Sequence, residues 1–277
     1  MIEYRRSVKE GLGFLRKPVR WLPLFILDSV FFLVIAFVFA SSIVDFLTIL
    51  SGTGSFSSMP LEIITGVTGA AVSFVIWVAL RLFVLASVVH QTFHEKEFAK
   101  SWAVARQRYL SLAGALFVAT AINMLITAVP FVGIVFSILV SWAFFFIMQD
   151  VISTNKDSFL ALNNTMKMFK RKPLSVIASW LAVALVATVI TLLFALPLIA
   201  LLFSTLSGKL MTGATDPSQI VAGVLASLQS SPVLFTGAVL LFVFGASLAT
   251  VCALKMQTEL YQQMKKNLKP AVFRLFS

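Results

Sequence analysis

An uncharged run of 39 residues, 110–148, constrains the fold of this chain more than any other feature of its sequence. A helix of about 20 apolar residues crosses the ~30 Å hydrocarbon core of a bilayer. At ~1.5 Å per residue, one straight helix over the whole run would overshoot that core about twofold. Pro130 and Gly133 lie near its middle and disfavour a continuous helix. The run therefore predicts two membrane spans joined by a tight turn.

The composition of the whole chain also indicates a membrane environment. Hydrophobic residues make up 59% of the 277 residues and charged residues 12%, whereas soluble domains carry about 25% charged residues. Four further apolar runs are long enough to span a bilayer: 21–50, 63–89, 174–206 and 232–254. Pro197 is expected to bend or end the third of these. The sequence predicts an all-α polytopic membrane protein, a single domain over 1–277 with about six transmembrane helices in three hairpins.

The positions of the basic residues predict the orientation of the chain. Four segments hold 20 of the 22 lysines and arginines: 1–20, 90–109, 152–173 and 255–277. Cytoplasmic flanks of membrane spans carry such an excess of basic residues, and six spans would put all four segments on one side. We therefore expect a multi-pass protein of the cell membrane with both termini, including a tail over 265–277, in the cytoplasm. The same placement explains the net charge of +11 without nucleic acid as a partner.

Three of the basic segments resemble one another, which predicts repeat-like units over 1–89, 90–151 and 152–264. In each segment, apolar residues recur at helical spacing just before a span: Tyr4, Val8, Leu12 and Leu15; Phe98, Trp102, Ala105 and Tyr109; Phe159, Leu162, Met166 and Phe169. Such basic amphipathic helices suit the interface of an anionic leaflet. The expected contacts with lipid headgroups or a partner are Arg16, Lys17, Arg106, Arg108, Lys170, Arg171 and Lys172. The alternative is that any cytoplasmic flank of a span looks basic and amphipathic.

The third basic segment also carries a family resemblance. Residues 159–173, shortly after Asp150 and Val151, resemble a motif in a poorly characterised family of six-span prokaryotic membrane proteins. That family is similar to the membrane domain fused to some glycerophosphodiester phosphodiesterases. Its pattern places an Ala-Leu pair and a serine in a short amphipathic helix before a span; Ala161 and Leu162 match, and Thr165 replaces the serine. The resemblance implies a six-span fold but no phosphodiesterase activity, because no catalytic domain is recognisable in these residues.

Ionisable residues within apolar runs are costly and are therefore candidates for function. Asp28 and Arg81 lie at similar depths in the first two spans, ~10 Å and ~13 Å from their cytoplasmic ends, and we expect them to form an ion pair. Arg81 could instead extend its long side chain to the interface, and a real pair could serve packing alone. Asn123 favours an interhelical hydrogen bond. Asp150 could cap the fourth span or reach Arg81.

Metal, cofactor and enzyme signatures are weak in this sequence. His90 and His94 would share a helix face, but there is no third histidine and no His-Glu-x-x-His pattern, so they are weak candidates for a metal site and no cofactor is expected. Nucleophile-elbow and phosphate-loop motifs are lacking, so no enzyme activity is expected. Cys252 is expected to be a packing thiol, and Gly245 to permit close helix packing.

Two functional hypotheses are left open by these residues. The first is a membrane-organising or envelope-homeostasis protein that binds anionic lipid, or a second membrane protein or copy of itself, through the basic segments. The second is a transporter or channel for a small solute or ion through the bundle, supported by Asp28, Arg81 and Asn123 and by the proline-containing spans.

Overall fold

A computed structural model describes residues 2–39, 61–129, 132–154, 157–211 and 231–266, and within these ranges every regular element is helical. We number the α-helices in chain order: α1 Tyr4–Phe14, α2 Leu22–Phe39, α3 Leu61–Phe93, α4 Phe98–Thr127, α5 Val132–Ala143, α6 Ile147–Thr154, α7 Ser158–Arg171, α8 Pro173–Met211 and α9 Pro232–Lys266. A 3₁₀ turn, Pro18–Arg20, precedes α2. The all-α class is therefore confirmed. Most of the predicted tail, 267–277, lies outside the described residues, as does Pro130.

Five helical stretches are long and apolar enough to cross a membrane: Thr65–Phe93, Phe98–Thr127, Gly133–Thr154, Pro173–Ser204 and Pro232–Lys266. Leu22–Ile35 is a shorter apolar helix. The uncharged run is broken where the sequence predicted, because α4 ends at Thr127 and α5 begins at Val132. The two helices pack together, and a side chain at Gly133 would collide with the carbonyl oxygen of Ile126. The architecture is that of a multi-pass helical membrane protein.

The chain divides into two compact units. Unit 1 comprises Met1–Pro23, Leu82–Val189 and Leu248–Ser277, and unit 2 comprises Leu24–Arg81 and Ile190–Ser247.

Unit 1 contains the largest fully buried side chains of the described residues, among them Phe14, Phe146 and Tyr261. Helix α1 packs closely on the last part of α9 at Gly11. A Cβ atom at Gly11 would lie 2.7 Å from Met256 Cγ and 3.0 Å from Cys252 Sγ, so only glycine fits without a shift. Cys252 is a buried free thiol, in agreement with its expected packing role.

Unit 2 has an aromatic cluster around Phe244. Its ring makes edge-to-face contacts with Phe25 at 5.6 Å and with Phe194 at 5.4 Å between centroids. Gly245 is buried beneath Phe194, where a Cβ would collide with the phenyl ring. The close packing predicted at Gly245 is thus confirmed, and the favourable ring geometry adds to burial.

Prolines decide which basic segments form separate helices. Lys17 and Lys172, which precede Pro18 and Pro173, leave the helical conformation, so α1 and α7 end before the apolar helices begin. The second basic segment has no such proline and forms the first turns of α4 without a break. A separate second amphipathic helix is therefore not observed. Pro197 does not end its helix either, because α8 continues through it to Met211; membrane helices tolerate an internal proline when the freed backbone groups find other partners.

Candidate functional site

The predicted ion pair of Asp28 and Arg81 is present in unit 2. Arg81 Nε lies 3.2 Å from Asp28 Oδ1, at an angle that makes the contact an ion pair rather than a directional hydrogen bond. Trp77 Nε1 donates a 2.9 Å hydrogen bond to the same oxygen, and its ring stacks on Phe31 at 4.4 Å. The Asp28 side chain is 5% exposed and that of Arg81 30%. Asp28 is thus held by one ion pair and one hydrogen bond within an aromatic environment.

Two other sequence candidates have fewer partners than expected. Asn123 Oδ1 is buried without a hydrogen-bond partner among the described residues, so the interhelical bond predicted for it is not seen there. His90 and His94 lie with ring centroids 4.9 Å apart, and His90 Nδ1 likewise lacks a partner in the described part of the chain. Within that part, no group of three His, Cys, Asp or Glu side chains could hold a metal ion. The histidines instead border a cleft of about 260 Å³ that Arg108 also lines.

Asp150 is the centre of a buried polar cluster in unit 1. Its Oδ1 accepts a 2.6 Å hydrogen bond from the Tyr261 hydroxyl, and its Oδ2 accepts a 3.0 Å bond from Asn164 Nδ2. Ser153 and Lys265 in turn donate to the Tyr261 oxygen at 3.3 Å and 3.1 Å. Three helices, α6, α7 and α9, therefore meet at one carboxylate. The sequence singled out Asp150 but gave no sign of Tyr261 or Asn164 as its partners.

A cleft of about 230 Å³ lies beside this cluster. Its lining residues are Asp150, Thr154, Asn164, Lys167, Met168, Arg171, Tyr261 and Lys265. Three of these side chains are cationic and one is a carboxylate, so the cleft has an excess of positive charge. We call it the α7 cleft.

A second charged cluster in unit 1 was missed by the sequence analysis. Arg20 Nη2 and Lys255 Nζ each lie 2.9 Å from one oxygen of Glu95, and Lys255 also lies 2.9 Å from Glu259 Oε1. The two cationic side chains are only 5% exposed. Arg20 Nη1 also donates to the carbonyl oxygen of Phe14, and Lys255 Nζ to that of Thr92, both at 3.1 Å. The Phe14 ring lies against the Arg20 guanidinium at 3.9 Å, a cation–π contact.

The electrostatics of Glu95 follow from these contacts. Burial raises its pKa, but the hydrogen bonds and charges of Lys255 and Arg20 together outweigh burial and hold the pKa below the ordinary 4.5. Arg20 and Lys255 belong to the basic segments that flank the apolar runs, and the structure buries both side chains. The sequence did contain one signal, because Lys255 and Glu259 are four residues apart on one helix.

The residues expected to contact headgroups lie largely on the surface. Arg16, Lys17, Arg106, Lys170 and Arg171 are exposed, whereas Arg108 and Lys172 are partly covered. Helices α1 and α7 bury one face each; on another face α7 leaves several large apolar residues exposed and α1 leaves Leu12 exposed. The three residues that carry the family resemblance, Ala161, Leu162 and Thr165, belong to the buried face of α7. Their role in this fold is therefore packing.

These features define a polytopic α-helical membrane protein with polar clusters and a basic surface in unit 1. Comparisons of the chain with protein-family models, curated proteins and solved structures found no match.

Proposed function

We propose that this chain is a six-span protein of the cell membrane that organises lipid at the cytoplasmic face, binding anionic headgroups through its basic helical segments. The observation that carries the proposal is the surface of α1 and α7. Helix α7 has several large apolar side chains exposed beside exposed cations, and α1 has one, Leu12. In water such a surface is unfavourable, whereas at a bilayer interface the apolar groups enter the acyl boundary and the cations meet the headgroups.

Helix α7 is the stronger of the two examples. Its Ala161, Thr165 and Met168 are buried, while Phe159 is 75% exposed and Leu160 50%. Phe159 and Leu160 lie in the first turn of the helix, and its last turn carries basic residues. A helix with this division of faces can lie flat on a leaflet while its other face is fixed to the protein.

Helix α1 has a similar arrangement of buried, exposed apolar and basic residues. Its buried residues are Ser7, Gly11 and Phe14, and its exposed apolar residue is Leu12 at 48% exposure. The exposed Arg16 and Lys17 follow directly. Each basic residue near an anionic surface contributes about 1 kcal/mol of attraction, so several such segments together favour anionic over zwitterionic lipid.

The proposed topology is three hairpins, each led by a basic segment, with both termini in the cytoplasm. Its support is the distribution of lysine and arginine along the chain. Cysteines introduced as Arg5→Cys and Lys266→Cys would be labelled from the same side by a membrane-impermeant maleimide, and Ser57→Cys from the other. The native Cys252 is buried and gives a low background. Labelling of positions 5 and 266 from opposite sides would overturn the topology.

The lipid preference is tested by electron paramagnetic resonance of spin-labelled lipids in bilayers containing the purified protein. Spin-labelled phosphatidylglycerol should be immobilised at the protein more than spin-labelled phosphatidylcholine. The excess should fall with added salt, because exposed charges are screened. Lys17→Gln combined with Lys170→Gln should lower the excess, whereas Lys209→Gln, a single basic residue on the proposed opposite face, should not. Equal immobilisation of the two lipids would overturn the proposal.

A transport role is the alternative that the same preparation addresses. In unit 2, Asp28 is already paired with Arg81 and Trp77, which favours a packing role for the pair. Transport would require solute flux into sealed liposomes that Asp28→Asn abolishes while the protein remains folded.

A further inference from the structure

We propose that the α7 cleft binds a phosphate monoester, presented either by a lipid headgroup or by a soluble compound. The lipid source rests on the proposed function, whereas the soluble source does not. The proposal rests on the donors that line the cleft, on the way its carboxylate is neutralised, and on its size.

The donors come mainly from one face of α7. Asn164, Lys167 and Arg171 are spaced three and four residues apart, which places them in one row along the helix. Lys167 and Arg171 are exposed, and neither has a hydrogen-bond or ion-pair partner among the described residues. A guanidinium presents a planar pair of N–H donors that matches two oxygens of one phosphate, and a lysine adds a point charge beside it. Carboxylate ligands would use this fork as well, but would satisfy fewer of the remaining donors.

The opposite wall comes from α9. Lys265 Nζ lies 3.1 Å from the Tyr261 hydroxyl oxygen, which orients the ammonium group at the cleft. Tyr261 is itself fixed by its 2.6 Å hydrogen bond to Asp150. The buried cluster therefore holds the position of a cation that a ligand would meet, which reduces the ordering cost of binding.

The acidic residue of the cleft does not oppose an anion strongly. Asp150 is buried, and its two carboxylate oxygens already accept bonds from Tyr261 and Asn164. Three cations against this one carboxylate leave two formal positive charges in the cleft. A phosphate monoester carries about −1.5 to −2 at neutral pH, whereas a diester carries only one charge. The charge balance therefore favours the monoester.

The size of the cleft sets a limit on the rest of the ligand. Its volume is about 230 Å³, below the ~300 Å³ at which sites for drug-sized molecules begin. A phosphate with a small substituent fits this volume, and a larger organic group would have to extend outside it. A phospholipid with a monoester headgroup meets this condition because its acyl chains remain in the bilayer.

Two probes distinguish a lipid headgroup from a soluble compound as the source of the phosphate. The full chain in nanodiscs of phosphatidylcholine is titrated with inorganic phosphate by calorimetry, and nanodiscs that also contain spin-labelled phosphatidic acid are measured by paramagnetic resonance. Saturable phosphate binding indicates a soluble source, and saturable binding of phosphatidic acid alone indicates a headgroup; either supports the cleft. Arg171→Gln and Lys167→Gln should each weaken binding at least about tenfold, since each removes a charged donor.

The control is Lys96→Gln. Lys96 is exposed, does not line the cleft and is not among the proposed headgroup contacts, so its loss should change the affinity less than about twofold. Unchanged thermal unfolding of all three variants shows that they are folded. Binding that is not saturable with either probe overturns the proposed site, as does an equal loss of affinity in Lys96→Gln and Arg171→Gln. In both cases a preference for phosphatidylglycerol over phosphatidylcholine could persist, so the cleft and the proposed function can fail separately.

Discussion

Tyr261 donates a 2.6 Å hydrogen bond to Asp150, although the two residues are 111 positions apart in the sequence. Asp150 is 4% exposed and Tyr261 1% exposed. A buried carboxylate without donors would be strongly destabilising, and here a phenol and the Asn164 amide supply the donors in place of a direct cation. The bond also joins the short helix α6 to α9. One interaction therefore both supplies a donor to a buried carboxylate and holds two helices together.

Tyr261→Phe should lower the free energy of unfolding by about 1–3 kcal/mol, because it leaves Asp150 Oδ1 buried without its donor. Unfolding of the purified protein in detergent, followed by circular dichroism against temperature and denaturant, measures the change. Tyr4→Phe is the control, since Tyr4 has no hydrogen-bond partner among the described residues and should change stability little. A similar loss in both variants would show that the Asp150 contact is not responsible.

The ion pair of Asp28 and Arg81 predicts how much stability three variants lose relative to one another. Asp28→Ala and Arg81→Ala should each destabilise by about 3 kcal/mol, the low end for a buried pair, because the Arg81 side chain is 30% exposed. The double variant should be less destabilised than the sum of the two, since no lone charge is left in the apolar environment. Thermal unfolding in nanodiscs provides the measurement. Additive losses would mean that the two charges do not stabilise each other.

Much of the membrane architecture could be predicted from the sequence, because the length of an apolar run and its lack of charge depend only on contiguous residues. The break between α4 and α5 lies at the predicted turn, and the heights of Asp28 and Arg81 were enough to pair them. Both predictions used only the helical rise and the order of the spans. The separation of α1 and α7 from the helices that follow could have been predicted in the same way, since it depends on Pro18 and Pro173.

The polar clusters of unit 1 could not be predicted, because their partners are distant in sequence. Tyr261 approaches Asp150 only once α9 is packed, and Lys255 reaches Glu95 across 160 positions. The burial of Arg20 and Lys255 could not be predicted either, since a charge rule for orientation does not say which cations the fold buries. Pairing with carboxylates makes that burial tolerable.

The Glu95 cluster predicts acid sensitivity. The pKa of Glu95 is held below 4.5 in the folded protein, so its contribution to stability is present above pH 4.5 and is lost as pH falls through the lower folded value. Glu95→Gln should therefore flatten the fall of the unfolding temperature below pH 4.5. Glu97→Gln is the control. Its partner Lys100 is 65% exposed, whereas the partners of Glu95 are 5% exposed, so solvent screens the Glu97 pair and it contributes less. If Glu95→Gln left the dependence of the unfolding temperature on pH unchanged, the acid sensitivity would come from other groups.

Two glycines of α1 predict opposite effects of the same substitution. In Gly11→Ala the new methyl group would lie 2.7 Å from Met256 Cγ and 3.2 Å from the Cys252 carbonyl oxygen, so the Met256 side chain must shift and α1 must move slightly away from α9. Overpacking of this kind costs about 1–3 kcal/mol, which exceeds the ~1 kcal/mol that alanine gains over glycine within a helix. At Gly13 no atom lies within 4 Å of the new methyl group, so only the gain applies.

We therefore expect Gly11→Ala to lower the unfolding temperature and Gly13→Ala to raise it. If helix propensity alone acted, both substitutions would raise the unfolding temperature. If α1 were only loosely attached, neither substitution would change the unfolding temperature of the remaining chain. Only a close approach of α1 to α9 makes the unfolding temperature change in opposite directions in the two variants. Because α1 brings Arg16 and Lys17 to the proposed lipid surface, Gly11→Ala should also reduce the excess immobilisation of phosphatidylglycerol, whereas Gly13→Ala should leave it intact.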